Sequence, residues 1–352
     1  MKKMIITILI PCRNEEKHIR NCIESVLNFD IPAEVETEIL LIDGQSTDDT
    51  RNIIYEYAQY HPNIRLIDNP GLIQASALNI GIKEAKGRFI LRLDAHSNYP
   101  TDYLSKIYET YKRTKAENVG GVFLTQPGNN TYSAQVVQAL TTHKFGVGNA
   151  GFRTGAGEGP ADTVPYGFYR KDIFTKIGLF DERLVRAQDY EFNRRIIKSG
   201  GKIWRNPEIK VFYYNQSSIS AFLKKQIFLE APYNVYMWYL APYTFAPRHA
   251  ITGVFVFGLI SGVFLSFYSD LIKYTFISIM LVYFILAILS SLHQALRYKK
   301  IQHIVALPIG FFLFHFMHGV GLWIGVLRLV FRTAPILKKK PPNHTPEETN
   351  PF

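Results

Sequence analysis

Arg88-Phe89-Ile90-Leu91-Arg92-Leu93-Asp94-Ala95-His96 is the stretch from which the fold of this 352-residue chain is read. Phe89–Leu93 is mostly apolar and of strand rather than helix length, and it breaks at once into the polar Asp94-Ala95-His96. Runs of the same character lie on either side of it at Ile5–Ile10, Glu38–Ile42, Ile64–Ile67 and Val119–Leu124. The longer pieces between them are amphipathic, and this alternation predicts β-α-β units around a mostly parallel sheet, an α/β fold. Ser46-Thr47-Asp48-Asp49-Thr50 supplies hydroxyl and carboxylate groups expected to cap a helix running to about Tyr60. Gly87 is expected to close the next helix through a positive φ. Met1-Lys2-Lys3 followed by Met4–Ile10 has the look of a secretion signal, but the apolar run stops at Pro11, so it is read as the first strand. Val164–Tyr169, a helix from about Ala187 to Ser199 and a strand at Ile209–Tyr213 complete this region.

Open sheets of this kind bind ligands at the carboxyl ends of their strands. Three such ends are strongly polar here: Arg13-Asn14-Glu15-Glu16, Asp43-Gly44 and Asp94-Ala95-His96. Between Gly146 and Gly159 the chain is rich in glycine, either a mobile loop that closes over a ligand or a plain flexible connection. It lacks the Gly-Lys-Ser/Thr ending of a phosphate loop. The formal net charge of +11 comes without base-reading aromatics or zinc-finger spacing, which argues against a nucleic-acid partner and for a membrane surface. Cys12 and Cys22 form neither a Cys-x-x-Cys site nor a disulfide framework, as expected of a reduced cytosolic setting.

Charge thins beyond about Arg248. Ala250–Phe267, Leu271–Ser290 and Ile304–Val330 each approach the length a helix needs to cross hydrocarbon, and Ser220–Met237 reads either as an interfacial helix or as core packing. Gly258/Gly262 and Gly321/Gly325 have the spacing of close helix contacts. Three full crossings from a cytoplasmic catalytic domain would leave Arg297–Lys300 inside but Arg332 and Lys338–Lys340 outside, against the positive-inside rule. A third segment that re-enters would remove the conflict, and Pro308, His315 and His318 suit an irregular element. The expected division is 1–215 catalytic, 216–248 interfacial, 249–332 membrane with two to three helices, and 333–352 a flexible basic, proline-rich tail. The expected location is a cell membrane, with the catalytic domain cytoplasmic.

Asp94 and His96, two apart beyond a strand, could aim at one divalent cation, and such an ion stabilises a departing diphosphate. Mg²⁺ and Mn²⁺ both take oxygen ligands, and Mn²⁺ also accepts imidazole. Asp189 and Glu191 open the predicted helix at Ala187. Asp189 is the candidate general base for an acceptor hydroxyl, although favourable placement at a helix N-terminus would account for either carboxylate.

Four motifs then come in order: Ile10-Pro11-Cys12-Arg13-Asn14-Glu15-Glu16, Ile42-Asp43-Gly44-Gln45-Ser46-Thr47-Asp48-Asp49-Thr50, Asn79-Ile80-Gly81 with Ala85-Lys86-Gly87, and Leu93-Asp94-Ala95-His96. In order and spacing they resemble the family 2 glycosyltransferases. Val164–Arg170 through Gly178-Leu179-Phe180-Asp181-Glu182 to Gln188-Asp189 resembles the succinoglycan-type exopolysaccharide branch, and the likeness covers about residues 4–215. It implies a GT-A fold, a nucleotide-sugar-binding α/β domain, and metal-dependent, inverting transfer. It also implies that Pro11, Arg13, Glu15, Asp43, Gly71, Asn79 and Asp94 meet the nucleotide-sugar, with Asp43 on the base and a UDP-sugar favoured. Asp94 matches the first carboxylate of the family's Asp-x-Asp metal motif, His96 stands where the second would be, and Asp189 matches the general base. The Gln-x-x-Arg-Trp motif of processive synthases is missing after Asp189, so one sugar per encounter is expected.

The resulting expectation is a membrane-bound enzyme that moves one sugar onto a lipid-linked glycan acceptor, with Mn²⁺ or Mg²⁺ as cofactor. A polyprenyl-phosphate sugar synthase and a non-catalytic nucleotide-sugar-binding scaffold are the alternatives. A secondary transporter is a poor reading, because about three spans with no internal repeat cannot build an alternating-access core.

Overall fold

The computed structural model describes residues 3–339. The chain forms two compact units. One comprises the chain up to Leu124, Gly155–Tyr213 and the segment from Lys339, and the other Thr125–Thr154 and Tyr214–Lys338. Residues 125–154, placed by the sequence reading in the N-terminal domain, pack within the second unit.

In the first unit, β1 (Met4–Cys12), β2 (Val35–Asp43), β3 (Ile64–Asp68) and β4 (Phe89–Arg92) alternate with helices α1 (Ile19–Leu27), α2 (Thr50–Tyr60) and α3 (Gln74–Glu84). The strands pair in parallel in the order β3-β2-β1-β4. Alternate side chains face opposite layers, as the pleat dictates. Ile6, Ile8, Ile10, Ile39 and Leu41 join the core containing Ile19, Ile23 and Ile54, while Leu9, Leu40 and Ile42 join the core containing Ala75, Leu78 and Ile82. Covered on both faces, the strands are continuously apolar rather than alternating.

The chain continues through β5 (Ser97–Asn98), α4 (Tyr103–Thr114), β6 (Asn118–Gln126), α5 (Tyr132–Thr141), α6 (Lys144–Val147), α7 (Gly151–Thr154), β7 (Gly159–Pro160), β8 (Phe168–Arg170), α8 (Asp172–Ile177), α9 (Gln188–Lys198) and β9 (Ile203–Tyr214). Strands β8 and β6 extend the sheet beyond β4 in antiparallel fashion, and β9 and β5 complete that edge. The run at Val119–Leu124 is therefore a strand, but it pairs antiparallel with β8 rather than continuing the parallel series. The run at Val164–Tyr169 becomes strand only from Phe168, because Tyr166 (φ 62°) and Gly167 (φ 113°) turn the backbone away.

Three local expectations are corrected. Helix α3 ends at Glu84 with Ala85 as its cap, and Gly87 has no positive φ. Gly87 is needed for close approach instead, since a Cβ there would lie 2.6 Å from the backbone nitrogen of Thr7 on β1. The Ser46–Thr50 side chains mostly do not cap α2; they tie two strand-end loops together, as described below. The stretch from Gly146 to Gly159 is partly helical, carrying the end of α6 and all of α7.

In the second unit, α10 (Ile219–Lys225), a π-helical stretch (Gln226–Glu230) and α11 (Ala231–Leu240) follow one another directly, and α12 (Pro247–Leu265), α13 (Asp270–Tyr298) and α14 (His303–Val330) come after. These last three are long and apolar enough to cross a membrane. They differ in packing: 11% of the apolar window of α12 and 17% of that of α13 are buried, against 39% for α14. Helix α14 lies along the 219–240 segment and runs in the same direction. Phe314 packs on Phe222, Gly321 on Ile227 and Ala231, and Gly325 on Pro232 and Val235. The Gly321/Gly325 pair therefore makes close contacts. Of the other pair, Gly262 abuts Phe276 while Gly258 faces open space. Polar links join the apolar helices: His318 Nδ1 to Thr252 Oγ1 and His315 Nδ1 to Tyr283 Oη, each 2.8 Å, and Trp323 Nε1 donating to the Gly253 carbonyl at 3.0 Å. The segment expected to be a flexible tail begins with a 3-10 turn at Pro335–Lys338, and residues 340–352 lie outside the described residues. Within the first unit, Lys339 Nζ donates to the Glu182 carbonyl at 3.1 Å.

Candidate active site

The carboxyl ends of β1, β2 and β3 stand side by side, with Cys12 beside Asp43 and Asp43 beside Asp68. Asp43 is fully buried and saturated: Arg51 Nη1 donates to its Oδ2 at 2.7 Å, and Ser46 donates its amide to Oδ2 at 3.0 Å and its hydroxyl to Oδ1 at 2.5 Å. Arg51 also reaches Asp68 at 2.7 Å, joining two strand ends. The loop after β1 is held by the loop after β2. The amides of Asn14, Glu15 and Glu16 donate to Ser46 Oγ (2.8 Å), Thr50 Oγ1 (2.8 Å) and Asp48 Oδ2 (3.2 Å), and Asn14 Oδ1 accepts from the Thr47 amide (2.8 Å). The acidic, hydroxyl-rich sequence Ser46–Thr50 is thus a receptor for the 13–16 backbone. Pro11 is buried at the end of β1, while Arg13 is exposed with its side chain over Gly44.

Asp94 follows β4. Its backbone is fixed by Tyr99, whose hydroxyl oxygen accepts the Asp94 amide at 2.7 Å and lies 3.1 Å from its carbonyl. The side chain is mostly covered, with Gln74 Nε2 at 3.5 Å from Oδ1 and His96 Nε2 at 3.9 Å from Oδ2. The other imidazole nitrogen of His96 contacts Glu15 Oε1 at 3.2 Å. That hydrogen bond first, and the Asp94 charge second, hold the His96 pKa up at about 9. Glu15, Asp94 and His96 are thereby brought together from two strand ends. Burial and nearby carboxylates push the Cys12 thiol up, and both cysteines are free.

Helix α9 opens behind Ala187, which holds a positive φ of 63° as its N-cap. The two carboxylates of its first turn have different surroundings. Glu191 is buried and paired with Arg195 (2.5 Å), whose Nη1 also donates to the carbonyls of Ile177 and Leu179 at 2.8 and 2.9 Å. Asp189 keeps 37% of its side chain exposed; its Oδ1 accepts the Tyr190 amide at 2.8 Å and its Oδ2 lies 3.3 Å from Arg92 Nη1.

Two expected nucleotide contacts have structural partners. Asn79 is buried with its carboxamide spent on the Phe180 backbone (2.9 Å both ways) and on Glu182 Oε1 (2.8 Å), so it ties α3 to the loop beyond α8. Gly71 sits in the turn before α3, where a Cβ would come 2.2 Å from Ser76 Oγ. Arg92, Gln74, Gln188, Arg51 and Tyr99 enter the site without having been expected there. The one available signal was an arginine inside the apolar run of β4.

Residues 7–178 match the family model described as glycosyl transferase family 2. The chain is 33% identical over 331 residues to the dolichyl N-acetyl-alpha-D-glucosaminyl phosphate 3-beta-D-2,3-diacetamido-2,3-dideoxy-beta-D-glucuronosyltransferase of Methanococcus voltae, covering 92% of this chain and 97% of that one. It belongs to glycosyl transferase family 2. This glycosyltransferase is also 32% identical over 214 residues to succinoglycan biosynthesis protein ExoA of Rhizobium meliloti, covering 60% of this chain and 64% of that one. Among solved structures, a mannosyltransferase of Pyrobaculum calidifontis in complex with GDP-Man and Mn²⁺ superposes with a TM-score of 0.59 at 15% identity, over 93% of this glycosyltransferase and 87% of that chain. The fold is GT-A, as the motifs imply.

Proposed function

We propose that this glycosyltransferase moves one sugar from a nucleoside-diphosphate sugar, UDP-linked by preference, onto a saccharide already joined to a polyprenyl-type phosphate, with inversion at the anomeric carbon. The observation that carries the acceptor class is the near full-length match to the Methanococcus voltae enzyme, whose name specifies a dolichyl phosphate that already bears N-acetylglucosamine. The same observation favours a glycan-extending enzyme over a polyprenyl-phosphate sugar synthase.

In the mechanism, Asp189 takes the proton of the acceptor hydroxyl through its exposed face. The oxygen then bonds to the anomeric carbon as the bond to the diphosphate breaks on the opposite side, so no covalent enzyme intermediate forms. Asp43, with its rotamer fixed by Ser46 and Arg51, belongs to the nucleotide end of the crevice, and Pro11, Arg13 and Glu15 flank it. Among the described residues no three His, Cys, Asp or Glu side chains are grouped to hold a metal ion. Asp94 and His96 lie 3.9 Å apart and would fit a cation whose other ligands are phosphate oxygens and water, with His96 giving up on metal binding the proton it holds in the metal-free site. Mn²⁺ or Mg²⁺ held there would supply Lewis-acid stabilisation of the leaving diphosphate.

The helical unit supports a two-pass topology with a cytoplasmic active site. Helices α12 and α13, apolar and mostly uncovered, are the crossing pair. Helix α14, packed along the 219–240 segment, returns to the face it started from. Arg297–Lys300 and Arg332 then share the cytoplasmic side, as the positive-inside rule requires. Cysteines placed singly at Ser269 and Arg332 test this: a membrane-impermeant maleimide added to intact cells should label the first and spare the second, and labelling of both means three crossings.

The test of the activity uses membranes containing the full chain, a panel of UDP- and GDP-sugars, and a short polyprenyl phosphate bearing N-acetylglucosamine. Sugar should enter the lipid with one donor. Asp189→Asn should lower transfer by roughly 10²–10⁴-fold and keep metal-dependent donor binding. Unchanged turnover in that variant removes Asp189 as base, and extension of polyprenyl monophosphate alone favours the synthase reading.

A further inference from the structure

The last residue of β4 is an arginine in a place built for apolar side chains. Phe89, Ile90 and Leu91 before it and Leu93 after it are all buried, and Arg92 itself is only 4% exposed. Desolvating a guanidinium costs several kcal/mol, and the cost is offset only where a carboxylate and further hydrogen bonds meet it. The carboxylate here is Asp189, with Oδ2 at 3.3 Å from Nη1. The Arg92 Nε is buried and has no hydrogen-bond partner, so the pairing with Asp189 carries more of the compensation. The guanidinium also lies over the ring of Tyr166, 5.5 Å from its centroid, and Tyr166 is anchored by a 2.6 Å hydrogen bond to Ser97. Arg92 is therefore held by its strand and by the ring it lies against.

The consequence falls on Asp189. Its Oδ1 is taken by the Tyr190 amide and its Oδ2 faces Arg92, while over a third of the side chain remains open. Rotating this carboxylate away would deprive the buried Arg92 charge of its nearest partner and leave only the weaker pull of Asp94. A group fixed on one side and open on the other is what a proton acceptor needs, since an error of about 1 Å in placement can cost about 100-fold in rate.

A second link joins the same two elements. Gln188 Nε2 donates to Gln74 Oε1 at 2.5 Å, and Gln74 Nε2 reaches Asp94 Oδ1 at 3.5 Å. Neighbouring residues of α9, 188 and 189, are thus connected to residues 94 and 92 at the end of β4, one through Gln74 and one directly. The two links fix the separation between the carboxylate at the diphosphate end and the carboxylate at the acceptor end.

We propose that Arg92 is a positioning residue that orients Asp189 toward the acceptor hydroxyl, with Gln74 and Gln188 bracing the same helix against Asp94. This rests on Asp189 being the base. The test compares full-length Arg92→Gln, Arg92→Lys, Asp189→Asn and the Arg92→Gln/Asp189→Asn pair. Transfer kinetics use the donor that the wild type turns over, and titration with UDP and Mn²⁺ measures nucleotide binding. Arg92→Gln should lower kcat about 100-fold with donor KM and UDP binding within about twofold, and Arg92→Lys should recover about tenfold of that loss. In the Asp189→Asn background the same Gln substitution should change residual transfer by less than about twofold, because residues acting as a unit are non-additive. Equal loss in both backgrounds, or wild-type kcat in Arg92→Gln, overturns the proposal. If Arg92→Gln does not fold, Arg92→Lys, which keeps the charge, carries the comparison, and wild-type kcat in that variant is the overturning result. Wild-type turnover in Asp189→Asn would instead remove the base, and the inference with it. Loss of transfer there beside an unaffected Arg92→Gln would remove the inference alone.

Discussion

Glu191→Gln separates two carboxylates that stand two residues apart in one helix turn. Glu191 is 3% exposed and meets Arg195 through both oxygens, Oε1 to Nε at 2.9 Å and Oε2 to Nη2 at 2.5 Å. Breaking a buried ion pair by neutralising one partner costs about 3–5 kcal/mol. Arg195 keeps its bonds to the Ile177 and Leu179 carbonyls, and its side chain is 19% exposed, so the cost should fall at the lower end, about 3 kcal/mol. In a domain of this size about 1 kcal/mol moves the melting point by about 2–4 °C, so the first thermal transition should drop by about 6–12 °C. Differential scanning fluorimetry of the detergent-solubilised full chain reads this. Arg195→Met in the same molecule should restore part of the loss, because no buried charge is then left unpaired. At a temperature below both transitions, transfer by Glu191→Gln should stay within about threefold of wild type, since Glu191 is buried whereas Asp189 keeps an open face. A melting point unchanged in Glu191→Gln would refute the assignment of Glu191 to structure, and a rate loss as deep as that of Asp189→Asn would show that the two carboxylates had been given each other's roles.

His96 should titrate near pH 9 in the metal-free protein, and Glu15→Gln should bring it down toward 6.5; the imidazole resonances in a pH series check both values. Because the folded pKa is raised, the stabilisation from this ion pair is complete below about pH 6.5 and is lost as pH rises through about 9, so Glu15→Gln should flatten the alkaline fall in melting point. An imidazole that titrates at 6.5 in the wild type would disprove the Glu15 contact. Gly87→Ala should destabilise by about 1–3 kcal/mol, since the added methyl meets β1 backbone that cannot move aside. Urea unfolding of the variant checks it, and a neutral result would mean that β1 can shift at Thr7.

Much of the fold is legible along the chain because parallel strands covered on both faces are continuously apolar, and their ends turn polar where the crevice opens. Phe89–Leu93 followed by Asp94-Ala95-His96 shows both features in eight residues. The motifs reached further than the physical pattern did and implied the family. Spacing alone could not tell Asp189 from Glu191, since both are acidic first-turn residues and the helix dipole favours each equally. Their partners come from 97 residues upstream in one case and one helical turn downstream in the other. Gly87 was legible as a special position but not for the right reason, and the bonds of Asn79 to Phe180 were not legible at all, because close approach to Thr7 and hydrogen bonding across 101 residues leave no trace in local sequence. The number of apolar helices was likewise plain from composition. What composition cannot carry is which of them has its apolar face covered by protein, and it is that covering of α14 by the 219–240 segment, a contact between distant parts of the chain, that only the tertiary structure decides.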